Sequence, residues 1–258
     1  MLGAIAGDII GSVYEFTNSK PDLDFPLFVK DSEFTDDTVL TVALADNILS
    51  SIDYQIKLYE YYHLFPRCCY GSRFHLWAAR KEQQPYNSWG NGSAMRVSPV
   101  GWAYNDLETV LQKAKESAEV THNHPEGIKG AQGTTSAIFL SRSGQSKEII
   151  KDYITKNFGY NLDIDIEDLR KNYRFNESCQ ETVPQAIIIF LISNDFEDSI
   201  RKAIYIGGDS DTLACINGSI AEAFYGGVPE EIKLEVYKRI DSRITIITND
   251  FREKFISK

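Results

Sequence analysis

Apolar residues along this chain recur mostly at helical spacing and only rarely alternate, so the pattern predicts a succession of helices. Residues 2–16 read as a helix carrying small residues at Gly3, Ala4, Ala6, Gly7 and Gly11, which would let a second backbone come close. The run 38–51 is strongly helical and is capped by the aspartates just before it. Further helices are predicted at 52–62, 74–81, 106–122, 147–158, 183–193, 195–206, 212–225 and 230–255, and at 124–143, where Pro125 suits a helix start. Residues 19–34 and 244–248 are the only stretches open to an extended reading. The expected fold class is all-α, a compact single-domain helical bundle over residues 1–258 with functional loops at helix ends.

Composition narrows the function classes. At 258 residues the chain can build one substantial core, and 43 % apolar with 25 % charged residues is ordinary for a globular protein. The formal charge of −10, with no basic stripe, argues against a nucleic-acid backbone as partner. A phosphate-bearing ligand would need positive potential supplied locally, by metal ions, backbone amides and a few Arg or His side chains. Cys68, Cys69, Cys179 and Cys215 show no CxxC spacing, and reduced thiols in a cytoplasmic protein are the expectation. The apolar run 2–13 carries Asp8 and no basic leader, so neither a signal peptide nor a membrane span is expected.

Two short acidic strings stand near opposite ends. Thr35-Asp36-Asp37-Thr38 leads into one predicted helix, and Gly207-Gly208-Asp209-Ser210-Asp211-Thr212 leads into another. Ordinary N-capping accounts for one such oxygen per helix and stabilises by about 1 kcal/mol. Each string carries three or four, and carboxylates gathered at one point repel unless a cation stands among them. Hard cations such as Mg²⁺ take oxygen ligands in near-octahedral sets, so two strings facing each other would hold one or two ions.

Other residues carry weaker signals. Asp8 sits mid-helix among apolar neighbours, either capping another element or buried with a partner. Glu15 reads, by itself, as a solvated glutamate at a helix end. The turn Trp89-Gly90-Asn91-Gly92-Ser93-Ala94-Met95-Arg96 enters a helix and can expose amides to an anion, or simply turn the chain; it lacks the Lys-Ser/Thr ending of a Walker loop. His122 and His124 have no further His or Cys placed to complete a zinc site, and a histidine donating to phosphate fits better than a zinc ligand, beside the plain capping or core reading. The stretch holding Arg67, Tyr70, Arg73, Phe74 and Trp77 is mostly core, with base or sugar stacking as the alternative.

Taken in order, GAIAGDIIGSVYEF (3–16), FTDDT (34–38), WGNGSAMRVSPVG (89–101), THNHPEGIKGAQ (121–132) and GGDSDTLACINGSIAEAFYG (207–226) resemble the ADP-ribosylglycohydrolase family, the group that includes the dinitrogenase-reductase-activating glycohydrolase. The resemblance implies an all-α fold with two Mg²⁺ or Mn²⁺ ions in a cleft. Carried over by position, Thr35, Asp36, Asp37, Asp209, Asp211 and Thr212 match the metal ligands, and Glu15 matches a glutamate near the metals and the scissile bond. Gly90, Asn91, Gly92, Ser93, Ala94, Met95 and Arg96 match the loop around the ADP-ribose diphosphate and ribose, with His122 beside the diphosphate.

The activity so implied is cleavage of the glycosidic link between ADP-ribose and a protein side chain or small molecule, with Asp36 orienting or deprotonating water and Glu15 giving a proton or gating the metals. Three rivals stand beside it. They are a Mg²⁺-dependent nucleotide phosphohydrolase, a non-catalytic ADP-ribose-binding member of the family, and a purely structural helical domain. Residues 156–179 match the family least and would shape the leaving-group side. Oligomeric state and acceptor are not set by the sequence.

Overall fold

The described residues, 1–15 and 20–256 of this computed structural model, form helices joined by turns and by longer irregular segments such as 20–35 and 81–91. In chain order these are α1 (Leu2–Gly11), α2 (Asp36–Ser50), α3 (Tyr54–Leu64), α4 (Ser72–Arg80), α5 (Gly92–Met95), α6 (Ser98–Ala103), α7 (Leu107–Glu119), α8 (Pro125–Arg142), α9 (Lys147–Phe158), α10 (Ile166–Asn172), α11 (Cys179–Leu191), α12 (Phe196–Ile206), α13 (Ser210–Tyr225), α14 (Glu230–Tyr237) and α15 (Ser242–Phe255). No strand occurs among the described residues; an isolated antiparallel bridge joins Gly90 to Ser178.

The small residues of α1 decide its packing. A methyl group on Gly7 would come within 3.0 Å of the Ala214 backbone, and one on Gly3 would meet the Gly218 backbone equally closely. The two helices therefore touch backbone to backbone, and α1 against α13 is the most extensive helix pair. Both helices are buried over most of their length, with Leu2, Ile5, Ile9, Leu213, Ile216 and Ile220 fully inside one shared core. This close approach brings the start of α13 beside Gly11 and the middle of α1, where Asp8 projects.

The helical pattern is largely borne out, and its departures have local causes. The predicted helix at 230–255 is two helices, because the chain turns at 238–241 and Asp241 caps α15 by accepting from Arg243 N at 2.8 Å. Residues 244–248 lie inside α15 and are not extended. Within 20–34 no strand forms. Cationic side chains take up several main-chain carbonyls there, with Arg201 donating to Leu23 O at 2.9 Å and to Phe25 O at 2.6 Å. Helix α11 begins at Cys179, four residues before the predicted start, and carries Pro184 within it. The short helices α5, α6 and α10 stand outside the periodic runs, and α6 follows the 89–96 turn that the sequence reads as entering a helix. Phe16 and Ser19, the ends of two predicted elements, lie outside the described residues.

Candidate active site

Asp8 organises the first acidic string. Its carboxylate accepts from Thr35 N (3.0 Å), Thr35 Oγ1 (2.7 Å), Thr38 N (3.0 Å) and the Thr38 hydroxyl. Thr35 in turn caps α2 by accepting from Asp37 N at 3.3 Å. Four donors on a fully buried carboxylate fix the start of α2 against α1, so the mid-helix aspartate both caps another element and is buried with partners.

The second string arrives from the other side. Thr212 Oγ1 donates to Asp37 Oδ2 at 3.2 Å, and Thr35 Oγ1 lies 3.5 Å from Asp211 Oδ2. Carboxylate oxygens of Asp8, Asp37 and Asp211 all lie within 4.8 Å of one another, and so do those of Glu15, Asp209 and Asp211. Two acidic triads thus share Asp211. Asp37 Oδ1 is buried and has no hydrogen-bond partner. An orphaned carboxylate oxygen inside an all-oxygen donor set fits a hard divalent cation and fits no zinc or copper preference. Asp8 Oδ2 takes three of the four donors and Oδ1 only the Thr35 hydroxyl, so the first triad offers a cation Asp37 and Asp211, with Asp8 more fully engaged beside them.

The electrostatics agree. Burial, followed by the charge of Asp211, pushes Glu15 up to about 9. Burial also pushes Asp209 up to about 7 against the hydrogen bonds from Asp211 and Asn91. Asp36, Asp37 and Asp211 all stand well above the usual carboxylate range, from burial first and neighbouring carboxylates second. Without cations this cluster holds its protons; with them it would release them.

These residues border an open cleft of about 820 Å³, the solvent at its mouth included. Glu15, Asp36, Asp37, Asp209, Asp211 and Thr212 line it, together with the glycine loop and His122. The loop is held by Asn91 N donating to Glu177 O (2.7 Å) and Cys179 N donating to Trp89 O (3.0 Å). A methyl on Gly92 would lie 3.2 Å from His122 Nε2, so glycine keeps this wall thin. His122 meets Thr121 Oγ1 through Nδ1 at 2.7 Å, and that hydroxyl accepts from Arg96 Nη2 at 2.8 Å. Burial, then Arg96 and Arg73, keeps His122 well below its ordinary value, so it is neutral. Arg96 is fully buried with no carboxylate partner, and its Nε and Nη1 make no hydrogen bond.

Most of the residues singled out from the sequence meet here. Gly90, Asn91, Gly92, Met95, Arg96 and His122 line the cleft, whereas Ser93 and Ala94 do not; the Ser93 hydroxyl donates inward to Gly127 O at 2.7 Å. Thr35 sits one layer behind the lining. His124 caps α8 by accepting from Glu126 N at 3.1 Å, and no His or Cys group of metal-ligand geometry occurs among the described residues. In the aromatic-basic stretch Phe74 and Trp77 are core, yet Phe74 and the exposed Arg73 also border the cleft, Arg73 lying over the Tyr86 ring. Sequence reasoning passed over Tyr86, Ser88 and Glu177, which no motif marks.

An ADP-ribosylglycohydrolase family model matches residues 1–257. The chain belongs to the ADP-ribosylglycohydrolase family. It is 27 % identical to ADP-ribosylhydrolase ARH3 of Mus musculus, with 89 % of this chain and 84 % of that protein covered. It is 26 % identical to ARH3 of Homo sapiens (89 % and 86 % covered). To ADP-ribosylarginine hydrolase Tri1 of Pseudomonas putida (strain GB-1) it is 24 % identical, over 90 % of this chain and 71 % of that one. Among solved structures, one titled ADP-ribosylglycohydrolase-related protein complex superposes with a TM-score of 0.72 at 20 % identity, over 98 % of this chain and 95 % of that one. That likeness shows the all-α fold. By family the chain is an ADP-ribosyl glycoside hydrolase. No helix among its described residues is long and apolar enough to cross a membrane.

Proposed function

We propose that the chain hydrolyses the glycosidic bond between C1″ of ADP-ribose and an acceptor, a protein side chain or a small molecule, with two divalent cations, Mg²⁺ or Mn²⁺, in the acidic end of the cleft. The reading rests above all on the two carboxylate triads that share Asp211 in a cleft also lined by a glycine loop. Thr35, Asp36, Asp37, Asp209, Asp211 and Thr212 would hold the cations. When bound, they neutralise the carboxylates and lower the pKa of water and sugar hydroxyls nearby.

The residues divide the remaining work. Breaking the C1″ bond builds oxocarbenium character on the ribose, which carboxylates on its flank stabilise. Asp36, half-buried at the cleft surface, orients the attacking water and receives its proton. Glu15, beside Asp209 and Asp211 at the cleft surface, gives a proton to the leaving group. The loop's glycines let the backbone approach the diphosphate, and neutral His122 offers a hydrogen bond without a full charge. The buried, unpaired Arg96 supplies positive potential behind the loop that an otherwise acidic protein lacks. The working compartment is cytoplasmic on this reading, in keeping with four free cysteines.

The test incubates the protein and Mg²⁺ or Mn²⁺ with arginine-, serine- and nucleic-acid-linked ADP-ribose and measures the products. Free ADP-ribose from at least one substrate, abolished by EDTA and restored by metal, is the expected result. Release of inorganic phosphate instead would establish the phosphohydrolase rival.

A further inference from the structure

The side chain of Asn91 does something its place in the glycine loop does not suggest. Its Nδ2 donates to Asp209 Oδ2 at 2.6 Å and to Thr182 Oγ1 at 3.0 Å. An amide NH₂ has two hydrogens, so both are committed. The residue is buried, and Thr182 is held in turn by donating to Asn176 O at 3.0 Å. Meanwhile the backbone of Asn91 belongs to the loop: its N–H donates to Glu177 O, and its carbonyl accepts from Ala94 N (2.8 Å) and Met95 N (3.0 Å) at the start of α5. One residue thus ties the loop, the start of α11 and an acidic residue of α13's leading turn.

We propose that Asn91 is a positioning residue that links the glycine loop to Asp209, so that divalent cation and ADP-ribose bind with mutual dependence. The inference rests on the reading above, in which Asp209 is a cation ligand and the loop cradles ADP-ribose. A ligand that settles the loop settles the Asn91 backbone, and with it the one amide that orients Asp209. A cation drawing on Asp209 fixes the same amide from the other side. Groups that hydrogen-bond to a metal-binding carboxylate aim its free oxygen, and linkage requires that the effect of each ligand on the other be equal.

The experiment measures binding, not turnover. Mn²⁺ is titrated by the electron paramagnetic resonance of the free ion, with and without saturating ADP-ribose, on the wild type, Asn91→Ala and Thr182→Val. In the wild type ADP-ribose changes Mn²⁺ affinity by about fivefold or more, and Mn²⁺ changes ADP-ribose affinity by the same factor. Asn91→Ala weakens Mn²⁺ by about tenfold and lowers that factor, leaving only the part that direct contact between cation and ribose carries. Thr182→Val, which leaves loop and cation ligands intact, moves both quantities the same way by less, and it decides the matter if Asn91→Ala does not fold. A coupling factor left unchanged by both substitutions overturns the proposal. So does a wild type that binds Mn²⁺ and ADP-ribose independently, a result that leaves the hydrolase reading standing. A wild type that binds neither ligand overturns both.

Discussion

Thr212 donates a hydrogen bond to Asp37 across 3.2 Å, joining two acidic strings that lie 175 residues apart in the chain. Through this contact, with Asp211 shared between two triads, the start of α2 and the start of α13 become one site. Neither string makes a cation cage alone. Asp36→Ala and Asp209→Ala, from opposite strings, should therefore each lose turnover by about a hundredfold or more, beyond what removal of an outer partner costs. Near wild-type rates in both variants would mean that the reaction happens elsewhere.

The convergence depends on α1 lying backbone to backbone on α13. A methyl on Gly7 would press into the Ala214 and Cys215 backbone, and a main chain inside a packed core cannot move aside cheaply. Gly7→Ala should destabilise by about 1–3 kcal/mol or more. Gly71→Ala is the control, since nothing lies within 4 Å of its added methyl and its φ is −52°. Thermal melts of the two proteins should separate by several degrees, and equal melting temperatures would refute this account of the packing.

A cluster that resists ionisation makes the metal-free protein pH-sensitive. Glu15 stands at about 9 and Asp209 at about 7, both above their unfolded values. The folded state then binds more protons than the unfolded state, so this contribution is complete below about pH 4 and is lost as pH rises through the folded values. In EDTA the melting temperature should fall between about pH 5 and pH 9, and the gain on adding Mg²⁺ should be larger at the alkaline end. Glu15→Gln should flatten the fall while lowering turnover by about a hundredfold or more, as expected for a proton donor. A melting temperature in EDTA that rises over this range would sink the electrostatic account.

Some of this was legible before any coordinates and some was not, for physical reasons. Helix periodicity is a local signal, and it located most helices within a few residues. It missed α5 and α6, which are too short to show a period, and it ran α14 into α15 because both carry apolar residues at helical spacing. Carboxylate surplus in the two strings is also local, so the metal candidates could be named. The role of Asp8 could only be framed as alternatives, because its donors Thr35 and Thr38 lie 27 and 30 residues away. The family resemblance puts Asn91 in the loop around ADP-ribose, while its amide answers to Asp209, 118 residues on. Tyr86 and Glu177 reach the cleft only through tertiary packing, and no spacing announces them.

His122 offers a test that separates binding from chemistry. It packs beside Gly92 of the glycine loop in the cleft lining, buried, with Nδ1 engaged by Thr121. Burial and the nearby Arg96 and Arg73 hold its pKa well below the ordinary 6.5, so it stays neutral across the working range. His122→Ala should accordingly weaken ADP-ribose binding, read by calorimetry, by about tenfold, the worth of one hydrogen bond to a charged group. The catalytic rate at saturation should change much less, because the residue is remote from C1″ on the proposed pose. Removing it should also leave the pH dependence of ADP-ribose binding between about pH 6 and pH 8 unaltered, since no histidine proton is taken up there. If instead the wild type binds ADP-ribose more tightly as pH falls through that range and His122→Ala abolishes the trend, the histidine is cationic when it meets the diphosphate, and its neutral role is wrong.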